Sequence, residues 1–285
     1  MATMRDIRRR IRTVGNIQQI TNALKMVASA QVQRAQSKAA AARPYADNIA
    51  AVMRNLATAA EGQVEHPLLA VREPKNIGLL VITSDKGMAG SYNTNVVRTV
   101  IDTLRPYSKD RVKLVMLGKK GRLFFSRRGY NVVEGFSMPS SEVTFTDALN
   151  VSNTIRRLFE EAQVDIVYVV YTKFISIVKH LVTVDQVLPA AVDAGEGVSS
   201  EEYQFEPAPE VLLGHLLPKY VDTQIYRAMV ESLASEQGAR MTAMSSATDN
   251  AAEMIERLTL DLNRARQAAI TKELAEIVSG AQALK

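Results

Sequence analysis

From position 28 to position 56 small and apolar residues recur at steps that alternate four and three without a break: Ala28, Val32, Ala35, Ala39, Ala42, Ala46, Ile49, Met53 and Leu56. A stripe of that period specifies a helix with a narrow apolar seam, and such a helix is stable only against a partner helix. Upstream, Met4, Ile7, Ile11 and Val14 step the same way. Ile17, Ile20, Leu24 and Val27 then continue after what reads as a phase slip of one residue. Gly15 lies at the slip, and Pro44 is expected to bend the second half. The pattern predicts one helix over about residues 3–58, roughly 80 Å long at 1.5 Å per residue.

The other end of the chain repeats the pattern. Met241, Met244, Thr248, Ala251, Ile255, Leu258, Leu262, Ala265 and Ala269 again step by three and four. The stripe can be followed back towards Val211, with Pro218 expected to break or bend it. Two narrow seams in one chain are satisfied most economically by each other. We therefore expect the two helices to pair antiparallel, with 28–56 running along the C-terminal helix and a compact domain returning the chain between them.

The period changes over 75–192. Ile77-Gly78-Leu79-Leu80-Val81-Ile82, Val112-Lys113-Leu114-Val115-Met116-Leu117 and Ile166-Val167-Tyr168-Val169-Val170-Tyr171 read as buried strands. Val132-Val133 reads as a shorter one, and 174–187 alternates as an edge strand does. Helical patterns over 93–104, 118–128 and 147–162 separate them. Strands alternating with helices specify an α/β domain with a mainly parallel sheet. The expected organisation is an N-terminal helix over 1–60, an α/β domain over 75–192, an acidic linker over 193–208 and a C-terminal helix over 209–285. The fold class is thus α/β: a long antiparallel coiled coil of the two terminal helices plus a central α/β domain.

Composition removes several chemistries. There is no Cys, so disulfides, thiolate metal sites and cysteine nucleophiles are excluded. His66, His180 and His215 have no mutual metal-ligand spacing and read as surface or packing residues. No apolar run approaches the roughly 20 residues that span a bilayer. The Arg-rich N-terminus has no apolar signal core and enters the helical pattern at once, so it reads as mature protein. Charge is uneven: residues 1–60 carry ten basic groups and only the acids Asp6 and Asp47. Residues 193–210 carry six acids and no base. Such asymmetry points to charged partner surfaces.

Thr83-Ser84-Asp85-Lys86-Gly87-Met88-Ala89-Gly90-Ser91-Tyr92-Asn93 follows a strand and precedes a helix, where α/β folds bind phosphate. Lys86 precedes Gly87, so the loop is not a Walker A sequence, and it lacks the three-glycine dinucleotide pattern. A structural turn or a protein-contact loop is the reading its residues favour over nucleotide binding. Ser84-Asp85 has no Gly-x-Ser-x-Gly elbow to support a hydrolytic triad. Arg5, Arg8, Arg9 and Arg12 can share a helix side as in a DNA-binding basic region, but Ile7 and Ile11 carry the seam through that stretch. We expect no catalytic, cofactor-binding or metal-ligating residues, no cofactor and no nucleic acid. A nucleotide-binding enzyme with helical extensions and a basic coiled-coil DNA-binding protein are the competing readings.

Met4-Arg5-Asp6-Ile7-Arg8 and Ile20-Thr21-Asn22-Ala23-Leu24-Lys25-Met26-Val27-Ala28 resemble the opening of ATP synthase gamma subunits. The loop at 83–90 resembles that family's first-strand turn. The closing match is stronger: Ala234-Ser235-Glu236-Gln237-Gly238-Ala239-Arg240-Met241-Thr242-Ala243-Met244, Ala247-Thr248-Asp249-Asn250-Ala251 and Asn263-Arg264-Ala265-Arg266-Gln267-Ala268-Ala269-Ile270-Thr271-Lys272-Glu273-Leu274. The middle matches mainly by element order.

The resemblance implies a non-catalytic rotor shaft, one copy per complex, inside a ring of alpha and beta subunits. Its α/β domain would sit on the membrane c ring beside epsilon. Ion-driven rotation would force the beta catalytic sites through successive states. By the same resemblance Arg266, Gln267, Thr271, Leu24 and Lys25 contact beta subunits, and Tyr203, Phe205 and Glu206 lie near the c ring or epsilon. Contact with the membrane comes only through partners, on the cytoplasmic side of a bacterial cell membrane. Chloroplast-type members carry an inserted redox cysteine pair. Its absence here favours a bacterial enzyme without thiol control.

Overall fold

The computed structural model describes residues 3–59, 66–190 and 209–283. In chain order the elements are α1 (Met4–Ala59), β1 (Ile77–Ile82), α2 (Tyr92–Leu104), β2 (Val112–Leu117), α3 (Lys119–Ser126), β3 (Asn131–Phe136), α4 (Phe145–Glu160), β4 (Ile166–Phe174), β5 (His180–Leu188) and α5 (Pro209–Ala283). They form two compact units, one from Met1–Ala28 with Met241–Lys285 and the other from Ser29–Arg240.

In the first unit two helical segments lie against each other with opposed directions. The Thr248 hydroxyl donates to the Thr21 hydroxyl oxygen at 2.8 Å, while Arg9, Thr13 and Val14 share a cleft with Met254 and Leu258. Going down α1 thus means going up α5. All nine C-terminal stripe residues from Met241 to Ala269 are buried or half-buried. On α1 the expected phase slip does not occur. Among the covered positions Met4, Ile7, Ile11, Val14, Gln18, Thr21, Lys25 and Ala28 form an unbroken alternation of three and four, with Leu24 also half-buried at the seam. Following apolar residues alone led off the seam, because Gln18, Thr21 and Lys25 occupy it and Ile17, Ile20 and Val27 face outward. At the start of the helix Thr3 and Asp6 cap reciprocally, the Asp6 N–H donating to Thr3 Oγ1 at 3.2 Å and the Thr3 N–H to Asp6 Oδ2 at 3.3 Å. These bonds from Thr3 hold the Asp6 carboxyl below its usual range.

The register has a direct consequence. In a chain with no native Cys, Thr21→Cys with Thr248→Cys should close a disulfide almost completely under mild oxidation, because a Cα separation of about 4–7 Å suits the bond. Thr13→Cys with Thr248→Cys, displaced by eight residues or roughly 12 Å of helix, should stay reduced. Non-reducing electrophoresis reads both. Equal cross-linking of the two pairs would contradict the register.

In the second unit the sheet order is β3-β2-β1-β4-β5, with β1 to β4 parallel and β5 antiparallel at the edge. The expected edge strand begins later than its alternation suggested, at His180. Alternation in β1 sends Leu79 and Val81 to one face, where Val96, Val100 and Phe125 of α2 and α3 cover them. Leu80 and Ile82 point to the other face, towards α4, α1 and α5. Helix α4 starts two residues before its apolar pattern, because Thr144 and Asp147 form a capping box.

Across that second face α1 and α5 again run antiparallel, as the ion pairs Arg43–Glu231 (3.7 Å) and Asp47–Arg227 (4.0 Å) show. Within this unit the seam residues Val32, Ala35, Ala39, Ala46, Ile49, Met53 and Leu56 are all buried. Small residues on that seam allow close approach of the backbones. Both prolines are carried inside uninterrupted helices. Pro44 is exposed, so water can satisfy the carbonyl freed one turn earlier, and apolar burial on either side offsets the roughly 3 kcal/mol cost. From Ala228 to Gly238 every residue of α5 is buried. Beyond Val170, where pairing with β1 ends, the free edge of β4 bonds to this helix instead. The Thr172 N–H donates to Ser232 Oγ at 3.2 Å, and the Ser235 hydroxyl donates to the Thr172 carbonyl at 3.0 Å.

Candidate functional site

A coiled-coil seam uses one side of each helix and leaves the rest to solvent or to partners. In the first unit the outward face of α1 carries Ile17, Ile20, Met26 and Val27, each roughly half or more exposed. Met4 lies seventeen residues before Thr21, so it is level with a point seventeen residues after Thr248, near Ala265. Nothing from α1 can oppose α5 much further on. Accordingly, among the described residues Ala269 is the last half-buried one, and every residue from 270 to 279 is exposed. Ile270, Leu274, Ile277 and Val278 form a stripe there, at 50% to 66% exposure. Single exposed apolar residues are ordinary, but a stripe at helical spacing marks a surface that another molecule covers.

Arg266, Gln267 and Thr271 stand where this unpaired stretch begins, all exposed. The Thr271 hydroxyl turns back to the Gln267 carbonyl at 3.0 Å. Among the described residues Arg266 has no carboxylate partner, whereas its neighbour Arg264 reaches Asp261 at 3.8 Å. Leu24 and Lys25 are half-buried on α1, level with about residue 245. Some twenty residues, or roughly 30 Å of helix, separate them from Arg266. The two groups of residues therefore lie apart along the helical pair rather than in one place. Tyr203, Phe205 and Glu206 lie outside the described residues, as does the acidic stretch 193–208.

In the second unit the loop after β1 is a structural turn whose polar groups are consumed internally. Thr83 and Ser84 are fully buried. The Thr83 hydroxyl donates to the Leu117 carbonyl at 3.1 Å and accepts from the Gly121 N–H at 3.0 Å. The Ser84 hydroxyl donates to the Lys86 carbonyl at 2.6 Å. Asp85 Oδ1 accepts from the N–H groups of Lys119 at 2.8 Å and Met138 at 3.2 Å. Gly118 adopts φ +100°, and a Cβ there would stand 2.2 Å from the Thr83 carbonyl oxygen. Carboxylate, hydroxyls and close backbone contacts thus fill the place where a phosphate would have to sit. Ser84 has no histidine against it to act as a base. His66 caps the turn Pro67–Leu69, His180 lies against Phe174 and Gly238, and His215 is exposed. No group of metal-binding residues occurs among the described residues.

A cluster that sequence reasoning passed over joins this loop to α5. Arg240 donates to Glu236 Oε1 at 2.5 Å, to Gln237 Oε1 at 2.9 Å and to the Gly87 carbonyl at 3.4 Å. Both charged side chains are at most one-tenth exposed. Burial pushes the Glu236 carboxyl up, and the Arg240 charge opposes that push. In sequence the pair is an i,i+4 Glu–Arg couple of the kind usually found on helix surfaces. Only the burial of this stretch of α5 distinguishes it.

A family model described as ATP synthase matches residues 3–284. The chain is 48% identical to the ATP synthase gamma chain of Heliobacterium modesticaldum over the full length of both chains. It is 45% identical to that of Brevibacillus brevis over 98% of each. Its structure resembles a chain of the Tetrahymena thermophila mitochondrial ATP synthase central stalk and c ring, with TM-score 0.64 and 28% identity, over 80% of this chain and 99% of that one. The fold also matches a chain of the Euglena gracilis mitochondrial enzyme with TM-score 0.73 and 18% identity, over 99% and 94%. Among the described residues no helix is long and apolar enough to cross a membrane.

Proposed function

The chain belongs to the ATP synthase gamma-chain family, and from that premise we propose how its surfaces serve a rotor. It is the central-stalk subunit of the complex and not itself a catalyst. It couples rotation of the c ring to conformational change at the catalytic sites. The terminal helices, 1–60 and 209–285, act as the shaft, the 75–192 domain as its foot and 193–208 as an acidic linker. One copy turns within alternating alpha and beta subunits, with epsilon and the c ring at the foot. The complex is membrane-associated, and partners make the membrane crossing. We place the foot on the cytoplasmic side of the cell membrane.

The observation that carries this reading is the unpaired end of α5. A bearing surface must be smooth, apolar and free of fixed docking. The exposed stripe from Ile270 to Val278 supplies that, just beyond the end of the two-helix pairing. In this reading Arg266 and Gln267, at the base of the stripe, sense shaft angle. Arg offers a permanently charged planar fork, and Gln offers both a donor and an acceptor. Leu24, Lys25 and Thr271 add contacts to beta, and Tyr203, Phe205 and Glu206 contacts to the c ring or epsilon.

Arg266→Ala with Gln267→Ala should leave assembly intact. It should lower ATP turnover about tenfold, the effect of losing one hydrogen bond to a charged group. Glu253→Ala with Arg257→Ala removes an exposed ion pair on the same helix and should change turnover by less than about twofold. Steady-state hydrolysis by the reconstituted complex compares them. Full turnover in the first double variant would remove Arg266 and Gln267 from the mechanism.

A further inference from the structure

Between Arg105 and Tyr130 the sequence carries nine basic side chains and a single acid, Asp110. Three elements share this run, so no single helix face reveals it, and the fold brings five of the nine to one place. Helix α2 ends at Leu104, β2 starts at Val112 and β3 starts at Asn131. The two strands pair in parallel with Lys113 opposite Asn131. Residues leading into β2 and β3 therefore share the N-terminal edge of the sheet, opposite the edge that holds Gly87 and Arg240. Arg105, Lys109, Arg111, Arg127 and Arg128 stand there, all exposed.

Contacts tie two of these bases together. Lys109 Nζ donates to the Arg128 carbonyl at 2.8 Å and lies 5.0 Å from the centre of the Tyr130 ring. The Arg128 guanidinium lies 3.6 Å over Phe124. Tyr107 and Leu123 are exposed beside them. Among the described residues only Arg105 of the five has a carboxylate partner, Asp102 at 3.0 Å. Lys109, Arg111, Arg127 and Arg128 thus stand without an ion-pair partner around a group of aromatic and aliphatic side chains, with Asp110 the one acid in the run.

We infer that this edge binds the anionic headgroup surface of a lipid bilayer directly, which departs from the expectation that membrane contact comes only through partners. Basic groups interleaved with Tyr, Phe and Leu have the composition of an interfacial anchor, in which the charges meet phosphate and the rings sit at headgroup level. The charges stand at the N-terminal ends of β2 and β3, whereas the described clefts of this unit lie against α1 and α5. Basic groups spread over several loops and a helix end suit a planar array of phosphates better than one bound anion. The contact is electrostatic and reversible, and each base near the surface strengthens it about fivefold. It goes beyond the rotor reading and does not depend on it.

The test is co-sedimentation of the full chain with vesicles of phosphatidylcholine alone or with about a third phosphatidylglycerol. Binding should need the anionic lipid and weaken as salt rises. Arg111→Gln, Arg127→Gln and Arg128→Gln together should weaken it on the order of a hundredfold, with the thermal melt unchanged. If the Arg128 change disturbs packing on Phe124, the Arg111→Gln, Arg127→Gln variant should still lose about 25-fold. Arg8→Gln with Arg9→Gln and Arg12→Gln, on the basic start of α1, should lose less than the edge variants. Equal binding to neutral vesicles, no loss in the edge variants or a larger loss in the α1 variant would overturn the proposal. So would competition by millimolar inorganic phosphate, which would indicate a discrete anion site. Capture by immobilised polyglutamate without vesicle binding would assign the edge to an acidic protein instead.

Discussion

At neutral pH, Arg240→Ala should destabilise the Ser29–Arg240 unit by about 3–5 kcal/mol, and in mild acid by clearly less. The substitution strands Glu236, which is 5% exposed, and removes the donor to Gln237 Oε1 and the Gly87 carbonyl. A buried ion pair contributes little net stability, but breaking one side leaves an uncompensated charge in a poorly polar environment. The pH dependence follows from Glu236. Burial raises its folded pKa above the ordinary 4.5, so the folded state holds this proton more tightly than the unfolded chain does. Below the unfolded value the carboxyl is neutral in both states and imposes no penalty. Stability falls as pH rises from there through the raised folded value. Arg240 opposes that rise, so removing it raises the folded pKa further and widens the window. Urea unfolding at pH 4.5 and pH 7.5 checks the prediction. The loss in the variant should be greater at the higher pH. An equal loss at both would mean that Glu236 is not the stranded group. The exposed Arg257–Glu253 couple has the same i,i+4 spacing, and its loss should cost less than about 1 kcal/mol.

That contrast shows where sequence reading succeeds and where it stops. The seams were legible because periodicity is a local property: Val32 to Leu56 and Met241 to Ala269 are covered as their spacing requires. The α/β alternation was legible for the same reason, including an edge strand, but that strand starts only at His180 and its antiparallel direction is set by pairing with β4, which no local pattern reports. The phase slip misled because a seam can hold polar residues when they find partners, as Thr21 does with Thr248. Pro44 and Pro218 sit inside continuous helices, since packing on the flanking turns outweighs a local preference. Buried Glu236 and Arg240, and the basic edge around Lys109 and Arg128, depend on elements distant in sequence meeting in space. Arg266, Gln267 and Thr271 are indicated by the family resemblance alone, and their exposure at the start of the unpaired α5 stretch suits a contact role. For Leu24 and Lys25 the half-buried seam position leaves only part of each side chain available to a partner.

The second large effect concerns motion. Without native Cys, Ser108→Cys offers a single attachment point. Ser108 is exposed, and its side chain makes no capping bond, so a probe there disturbs nothing in the sheet. Paired helices resist bending and torsion, and the smooth end of α5 offers no fixed dock. A probe on Ser108→Cys should therefore follow the whole chain as it turns. With the alpha and beta ring fixed to a surface and ATP supplied, single-molecule imaging should show the probe rotating in one direction at a rate that tracks hydrolysis. A probe that stays fixed while the same complexes turn over ATP would contradict the assignment of this chain as the rotor.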